Sequence, residues 1–415
     1  MKLMRTRSTV YLDSNSGAPL DPLALTALRT YLDSPQDFSL SKFLSDDSLR
    51  NSNAHHSGSD AATIFGNHGS VHQFGQSAKR LIIEASDLIA KSIRAESKSH
   101  RLGDHIHFCS SGSRANFFAV QDALLFAREM NKRFFWITSA AEHSSNLDII
   151  PYLQAMGIQT QILSVDKNGF PNFNEIKSIP NDVYCLMSLI WANNETGAIL
   201  PLEKLPKNHR FALHLDGVQN WGKTDIDVAN IPVDYLTIAP YKAGSISGLG
   251  VLYSKRRISK FIPKSGTNNM LGIVAAGAVA YGIDPSTYES KLLPLRILLE
   301  EKLLKIEGLE INCYGVDRIA NTVNASFVQI GRDGLIPALD LEGFAVSAGS
   351  ACMSGVTRSS HVLTAIGRTP EEAMASIRIS LHSKSKKEDI IGFSRTLAKV
   401  VANFTNGKRG DNWRV

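Results

Sequence analysis

The chain has 415 residues, 43% hydrophobic and 20% charged, with a formal net charge of +6. That length buries a substantial core and fits two domains, or one large α/β unit with an added lobe. No dense Lys/Arg stripe with interleaved aromatics is present, so nucleic acid is not implied, and no apolar run is long enough to span a membrane. Lys2, Arg5 and Arg7 are followed by no apolar leader segment, so the expected location is the cytoplasm.

Residues 34–62, SPQDFSLSKFLSDDSLRNSNAHHSGSDAA, are rich in Ser, Asp and Asn and read as a long polar surface insertion. His55 and His56 within it read as a solvated pair, because no carboxylate or cysteine spacing completes a metal site. Ala78, Leu81, Ile82, Ala85, Leu88 and Ile89 share one face at helical spacing and predict an amphipathic helix over about 72–94. Apolar, β-branched or aromatic runs predict strands at 105–109, 134–138, 160–165, 183–191, 211–215, 235–239 and 250–253. Alternation with amphipathic stretches predicts an α/β fold, a mainly parallel sheet with helices on both faces. After about Met270 the order loosens. A long helix is expected at 290–306, strand-like runs at TVNASFVQI, GFAVSA and SIRISL, a final helix near 387–403, and a polar tail NGKRGDNWRV. These predict a smaller α+β domain.

The four cysteines form no CxxC pair and no zinc pattern, so no metal site is expected, and their scarcity fits a reducing compartment. Cys185 lies inside the apolar run VYCLMSLIW, Cys109 ends another, and Cys313 sits in the strand-like LEINCYGV; all three read as small core residues. Cys352 differs. It lies in SAGSACMSG, a small, polar, glycine-flanked segment that cannot be a core strand.

Five polar motifs follow five of the expected strands: SSGSRAN (110–116), EHSSN (142–146), NNETG (193–197), Asp216 and Lys242. In an open α/β sheet ligands bind beyond the carboxyl ends of the strands, so these motifs are expected to converge. SSGS, with Gly112 and Ser113, would open a helix and offer N–H groups and hydroxyls to a phosphate. A carboxylate such as Asp216 can keep a pyridine nitrogen protonated, a lysine of lowered pKa can condense with a carbonyl, and His143 can stack on a ring or shuttle protons. Together they suggest pyridoxal phosphate (PLP). Singly, each has an ordinary reading: Asp216 as a helix cap, His143 as a structural histidine, Lys242 as a solvated lysine, Asn193 and Asn194 as a turn. The stretch APYKAGSISGLG (239–250) is neither a Walker loop, lacking GK[ST], nor GxGxxG, which favours a reactive lysine over a nucleotide loop.

Ten stretches carry a family resemblance in order: VYLDSNSGAPLDP, GNHGSVHQFGQSAKR, FCSSGSRAN, EHSSN, NNETG, HLDGVQNWGK, YKAGSISGLGVLY, SGTNN, GSACMSG and SIRISL. Over nearly the whole chain, apart from the insertion and the tail, it resembles the class V aminotransferase-like PLP enzymes of fold type I, in particular the NifS/IscS-type cysteine desulfurases. The resemblance implies a large PLP-binding domain at 21–265, a smaller α+β domain at 266–415 carrying the Cys352 loop, and a segment 1–20 packing with the smaller domain. It matches Lys242 to the lysine that holds the cofactor covalently, Asp216 to the partner of the pyridine nitrogen and Gln219 to the residue on the phenolic oxygen. His143 matches the ring-stacking histidine and Ser113 the phosphate-binding threonine. Asn194 and Arg378 match the groups that hold the substrate carboxylate, and Cys352 the nucleophile that becomes a persulfide. The implied reaction converts L-cysteine to L-alanine and passes sulfur to an acceptor protein, a scaffold for iron–sulfur clusters or a tRNA-thiolation carrier, from a homodimer in which Thr267 reaches the partner's phosphate. The alternatives are a lyase of the same fold with another substrate, such as selenocysteine, and a non-catalytic paralogue.

The chain also departs from the family pattern. Ser-x-His-Lys is replaced by Ala239-Pro240-Tyr241-Lys242, leaving only the Tyr241 hydroxyl as a possible phosphate ligand, and Gly-Pro-Lys-Gly by Ser245-Ile246-Ser247-Gly248. Arg114 stands where glutamate is usual and Phe117 where asparagine is usual, and Lys264 stands near the place of an arginine. Arg114, beside Ser113, is expected to compensate at the phosphate.

Overall fold

The chain enters through a short strand, β1 (Val10–Tyr11), and a bend of small residues that leads to α1 (Pro22–Asp33). Asp21 caps α1 by accepting the N–H groups of Leu23 and Ala24 at 2.8 and 3.3 Å, and Pro22 presets the first turn. The computed structural model describes residues 9–51, 65–96, 101–207, 210–261, 266–327, 332–348 and 359–405. Within them α2 (Leu40–Ser45), α3 (Asp47–Asn51) and the long α4 (Gln73–Ser92) follow.

The expected polar insertion is thereby corrected over its described part. Phe38, Leu40, Phe43 and Leu44 are buried in the main core. Ser39 caps α2, and Glu84 on α4 accepts the Leu40 N–H at 2.8 Å. The serines and aspartates here are caps and turn formers, and they mask a short apolar face. Residues 52–62, with His55 and His56, lie outside the described residues.

All seven expected strands are present, with ends within two residues of expectation: β2 (Ile106–Cys109), β3 (Arg133–Ser139), β4 (Gln159–Leu163), β5 (Val183–Ile190), β6 (Phe211–Asp216), β7 (Tyr235–Ile238) and β8 (Gly250–Ser254). Among the described residues they form one sheet in the order β2-β8-β7-β6-β5-β3-β4. β4, β3, β5, β6 and β7 run parallel, and β8 is antiparallel to both its neighbours. Along β3 and β5 alternate residues enter two different cores, Phe135, Ile137, Cys185 and Met187 on one face, Phe134, Trp136 and Leu186 on the other. A parallel strand covered by helices on both sides is a continuous apolar run for this reason. One face is covered by α1, α4 and the wholly apolar α8 (Met270–Gly282), the other by α5 (Gly112–Glu129) and α7 (Ile149–Ala155), which follows the single turn α6 (Ser144–Leu147).

A separate core begins at α9 (Pro285–Leu303). Helix α8 still belongs to the first core, so the change of core falls near residues 283–285, later than the change of character after about Met270 and the 265/266 boundary that the resemblance implies. Helix α9 starts five residues earlier than expected because Asp284 caps it and Pro285 occupies its first position. Three antiparallel strands, β9 (Leu309–Ile311), β10 (Thr322–Phe327) and β12 (Ser376–Ser380), lie in the order β12-β10-β9. Helices α10 (Arg332–Leu341) and α13 (Lys387–Thr405) pack against this core, and β11 (Phe344–Ala345) pairs in parallel with β1. Cys313 is buried as expected, but it lies in a turn after β9 at φ 54° rather than in a strand. Two short helices, α11 (His361–Ala365) and α12 (Pro370–Met374), lead into β12.

Candidate active site

The sheet reverses its order between β3 and β5, since β3 leads outward to β4 and the chain returns on the other side as β5. Such a switch point opens a crevice at the carboxyl ends of the strands. His143 follows β3 and Asn194 follows β5; Asp216 ends β6, and Lys242 sits in a 3-10 turn (Pro240–Ala243) after β7. The structure therefore brings the expected motifs to one edge.

Gly244, at φ 102°, ends the Lys242 turn in the left-handed region, and Asp21 N–H donates to its carbonyl at 2.8 Å. The chain's first segment is thus fastened to the turn that carries the lysine. Lys242 Nζ donates to the carbonyls of Asn15 and Ser16 at 2.5 and 2.8 Å, and lies 4.5 Å from the centre of the Tyr241 ring. What Tyr241 brings to the lysine is its ring face. Burial, then the Arg378 guanidinium, push the Lys242 amine down to about 8, against the pull of Asp13 and Asp216. A substantial neutral fraction near neutrality is what a carbonyl-condensing amine needs.

Asp216 is buried, with Oδ2 accepting from Asn116 Nδ2 at 2.7 Å and Oδ1 from the Val218 N–H at 3.1 Å. Asn116 Nδ2 also donates to Ser145 Oγ at 3.1 Å, and Ser145 Oγ lies 2.7 Å from His143 Nδ1. The Ser145 N–H donates to that same ring nitrogen at 3.1 Å. A backbone N–H can only donate, so Nδ1 is the acceptor and the neutral ring carries its proton on Nε2. Burial holds His143 below the ordinary histidine range; Asp216 opposes this, and Lys242 and His361 add to it. Sequence reasoning missed the Asn116–Ser145 relay, although both residues lay inside quoted motifs.

Two buried carboxylates were also missed. Glu142 accepts from Ser139 Oγ, the Ile190 N–H and Asn146 Nδ2 at 2.7, 3.0 and 3.0 Å, yet burial pushes it up to about 7. Glu195 accepts from Ser360 Oγ at 2.6 Å, and burial raises it too. His361 Nε2 bonds the Glu142 carbonyl at 2.8 Å. Residues 360–361, just beyond the segment that holds Cys352, are thus pinned to both polar turns.

The expected substrate-carboxylate group, Arg378 on β12, reaches the site from the second core. Its guanidinium donates to Asp13 Oδ1 and Ser16 Oγ at 2.7 Å each and to the Asn194 carbonyl at 3.0 Å. Asn194 Oδ1 is buried without a hydrogen-bond partner, so this amide is held through its backbone with its side chain still unsatisfied. Asn15 ties these parts together. It is 1% exposed, takes Lys242 and Gln219 on its carbonyl, Lys223 and Asn321 on Oδ1, and donates from Nδ2 to Thr322 Oγ1. Nothing in the local sequence marked it, because all six of its side-chain partners, with Ser380 the sixth, lie over 200 residues away.

At the start of α5, Ser111 caps the helix by accepting the Arg114 N–H at 3.2 Å. The N–H groups of Gly112 and Ser113 fall in the first turn, where no intrahelical acceptor exists. Ser113 and Arg114 are exposed, and the Arg114 guanidinium lies 5.3 Å from the centre of the Phe117 ring. Thr267 lines a cavity of about 870 Å³ with Ser110, Cys109 and His68. Burial pushes the Cys109 and Cys185 thiols up to about 12 and raises Cys313 as well, so the described cysteines are poor nucleophiles. Cys352 lies outside the described residues.

A lysine of depressed pKa, a buried carboxylate at 3% exposure, free first-turn N–H groups and an orphaned amide oxygen fit PLP. The comparisons agree. The aminotransferase class-V family model matches residues 61–264 and 263–393. A cysteine desulfurase IscS of Dictyoglomus turgidum is 33% identical over 369 residues, covering 85% of this chain and 91% of the relative. One from Methanosarcina thermophila is 31% identical over 358 residues, covering 82% and 86%. The solved structure of a NifS-like protein from Rickettsia africae superposes with a TM-score of 0.76 at 25% identity, covering 95% of this chain and 99% of that one. The chain belongs to the class-V aminotransferase family, among the NifS/IscS-like cysteine desulfurases, which work with PLP.

Proposed function

We propose that the protein removes sulfur from free L-cysteine, releases L-alanine and passes the sulfur through Cys352 to an acceptor protein. The observation that carries this is the convergence of Lys242, Asp216, His143 and Arg378 on one crevice, with Asn15 joining the two cores beneath it. PLP bound there supplies an electron sink for the substrate's Cα. Lys242 would hold it and, once released, take the Cα proton on Nζ. Asp216 would keep the pyridine nitrogen protonated, Gln219 would meet the phenolic oxygen, and the first turn of α5, with Gly112 and Ser113, would hold the phosphate. Arg378 and Asn194 would fix the substrate carboxylate, and His143 would carry protons on Nε2.

Cys352 as thiolate would bond to the substrate sulfur while the substrate's Cβ–S bond breaks. The electron pair stays on Cβ, and a proton from the site completes the alanine methyl group. The buried, high-pKa state of the other three cysteines supports Cys352 in this role. We place the protein in the cytoplasm as a homodimer, with Thr267 at the partner's phosphate turn and an acceptor in iron–sulfur cluster assembly or tRNA thiolation. The lost family phosphate ligands at Ala239 and Tyr241 favour one second reading, a paralogue that binds PLP weakly and serves as a partner protein.

The test is direct. Full-length protein is loaded with PLP, its visible absorbance is recorded, and alanine and sulfide are measured after addition of cysteine with excess dithiothreitol, which reduces the persulfide to thiol and sulfide. The expected result is a visible band and equal yields of both products, with sulfide transfer lost and the band intact in Cys352→Ala. No band means a non-catalytic partner, and a band without sulfide means a different substrate.

A further inference from the structure

We propose that Lys223 is a positioning residue that fixes the Gln219 amide as a hydrogen-bond donor toward the cofactor's ring oxygen, an inference that rests on the site being a PLP site. Lys223 is 3% exposed, and among the described residues no carboxylate pairs with it. A buried lysine with amide oxygens as its partners is costly to keep and calls for a reason. Gly222, at φ 78°, turns the chain so that Lys223 points inward. A Cβ on Gly222 would stand 3.0 Å from the Ala243 Cβ, so this bend packs directly on the turn of Lys242.

Lys223 Nζ donates to Gln219 Oε1 at 2.5 Å and to Asn15 Oδ1 at 3.1 Å. Both amides are oriented independently by main-chain carbonyls, which only accept. Asn15 Nδ2 faces the Asn194 carbonyl at 3.3 Å, and Gln219 Nε2 faces the Asn15 carbonyl at 3.2 Å. Gln219 therefore turns its oxygen to Lys223 and its NH₂ to the carbonyl that Lys242 Nζ reaches at 2.5 Å. Two donors that share one acceptor at these distances stand within about 6 Å of each other. The Gln219 NH₂ is thus presented where the lysine-bound end of the cofactor must lie. Without Lys223 only the 3.2 Å bond to the Asn15 carbonyl opposes rotation of the amide, and a rotated amide would turn its oxygen toward an electron-rich ring oxygen.

Burial, then the charges of Lys242 and Arg378, hold the Lys223 amine well below the usual lysine range. Charged or neutral, it keeps two hydrogens for its two acceptors. A donor on the ring oxygen competes for the proton shared between that oxygen and the lysine nitrogen. Losing the donor makes this proton harder to remove, and losing any positive charge at Lys223 acts in the same direction.

The experiment titrates the visible absorbance of PLP-loaded full-length protein against pH, with thermal unfolding recorded alongside. Wild type is compared with Lys223→Met, Lys223→Gln, Gln219→Ala and the double variant Lys223→Met/Gln219→Ala. We expect Lys223→Met to raise the midpoint by about one pH unit and Lys223→Gln, which keeps an N–H donor, by less. On the Gln219→Ala background the Lys223→Met shift should fall by at least about half, since the two act as one unit. A midpoint within about 0.2 unit of wild type, an equal shift with and without Gln219, or loss of the fold in both Lys223 variants each overturns the proposal. Absence of the band in wild type overturns the PLP reading itself, and is told apart because no variant is involved.

Discussion

The two halves of the site are built in opposite ways. On the sheet edge, Asp216, His143 and Lys242 sit at or just after strand ends; partners from the strand-end turns hold Asp216 and His143, and the first segment's carbonyls hold the Lys242 amine. On the other side, Asp13, Ser16 and Arg378, from the chain's first segment and from β12, hold one another, and Asn15 among them bonds Ser380 on β12. The sheet half is a scaffold with chemistry at its rim. The junction half leans on both cores, since Leu12 beside Asp13 packs in the second core while Asn15 also bonds Gln219, Lys223 and Lys242 of the first. The proposed function would thereby place carbon–hydrogen chemistry at the sheet rim and recognition of the substrate carboxylate beside the first segment.

The sharpest way to test this division is to break the two halves separately. Lys242→Ala should remove the visible band and lower desulfurase turnover by about 10³-fold or more while leaving thermal unfolding of the cofactor-free protein near wild type. Arg378→Lys should keep the band and lower kcat/KM by about 10- to 100-fold, mostly through KM, since a single ammonium cannot serve Asp13, Ser16 and a carboxylate as a guanidinium does. If Arg378→Lys also lost the band, the two halves would not be separable.

Asn15→Ala joins them. It strips partners from the buried Lys223, Asn321 and Thr322 and should cost about 2–3 kcal/mol in denaturant unfolding. It should disturb cysteine binding as well as the absorbance, which neither preceding variant does. A pH-dependent effect of similar size comes from Glu142, whose folded-state value of about 7 lies above its ordinary 4.5. The folded protein therefore favours the protonated form. Its stabilising contribution is full below about pH 4.5 and is lost as the pH rises through about 7, on the order of 3 kcal/mol in all. Glu142→Gln should flatten that decline in unfolding free energy between pH 4.5 and 7, and Asn146 Oδ1, now without a partner, can accept the new N–H. An unchanged profile would show that the three hydrogen bonds keep Glu142 ionised.

Smallest is Arg114→Ala, expected to weaken PLP affinity a few-fold, about 1 kcal/mol, at an exposed site. A basic side chain in a first helical turn opposes the helix dipole unless an anion is bound there. Unchanged affinity would leave the Phe117 ring as the sole reason for Arg114.

The same division explains what the sequence made readable. β3 and β5 are continuous apolar runs because both faces are covered, and their polar successors EHSSN and NNETG stand out by contrast. Leu40, Phe43 and Leu44 were hidden because Ser39, Ser41 and Asp46 around them cap and turn the short helices, so the composition read as loop. Asn15 and Lys223 were unreadable for another reason. Their roles are set by amides and carbonyls brought together only by the fold, and an Asn in SNSG or a Lys after a glycine has no local signature. Family likeness marked Gln219 but not what holds it.

The position of Asn15 also has a consequence for the order of biosynthesis. Its N–H bonds Ser380 Oγ across 365 residues and its side chain bonds Thr322 across 307. A chain emerging from the ribosome can complete the seven-stranded sheet and its helices once α8 is made. Its first segment must then wait, with Lys242 already in place, until β12 has been synthesised. Under the proposed function, the amine that reacts would form early and the guanidinium that would hold the substrate carboxylate last. Nascent or truncated chains would meet PLP before they could recognise an amino acid.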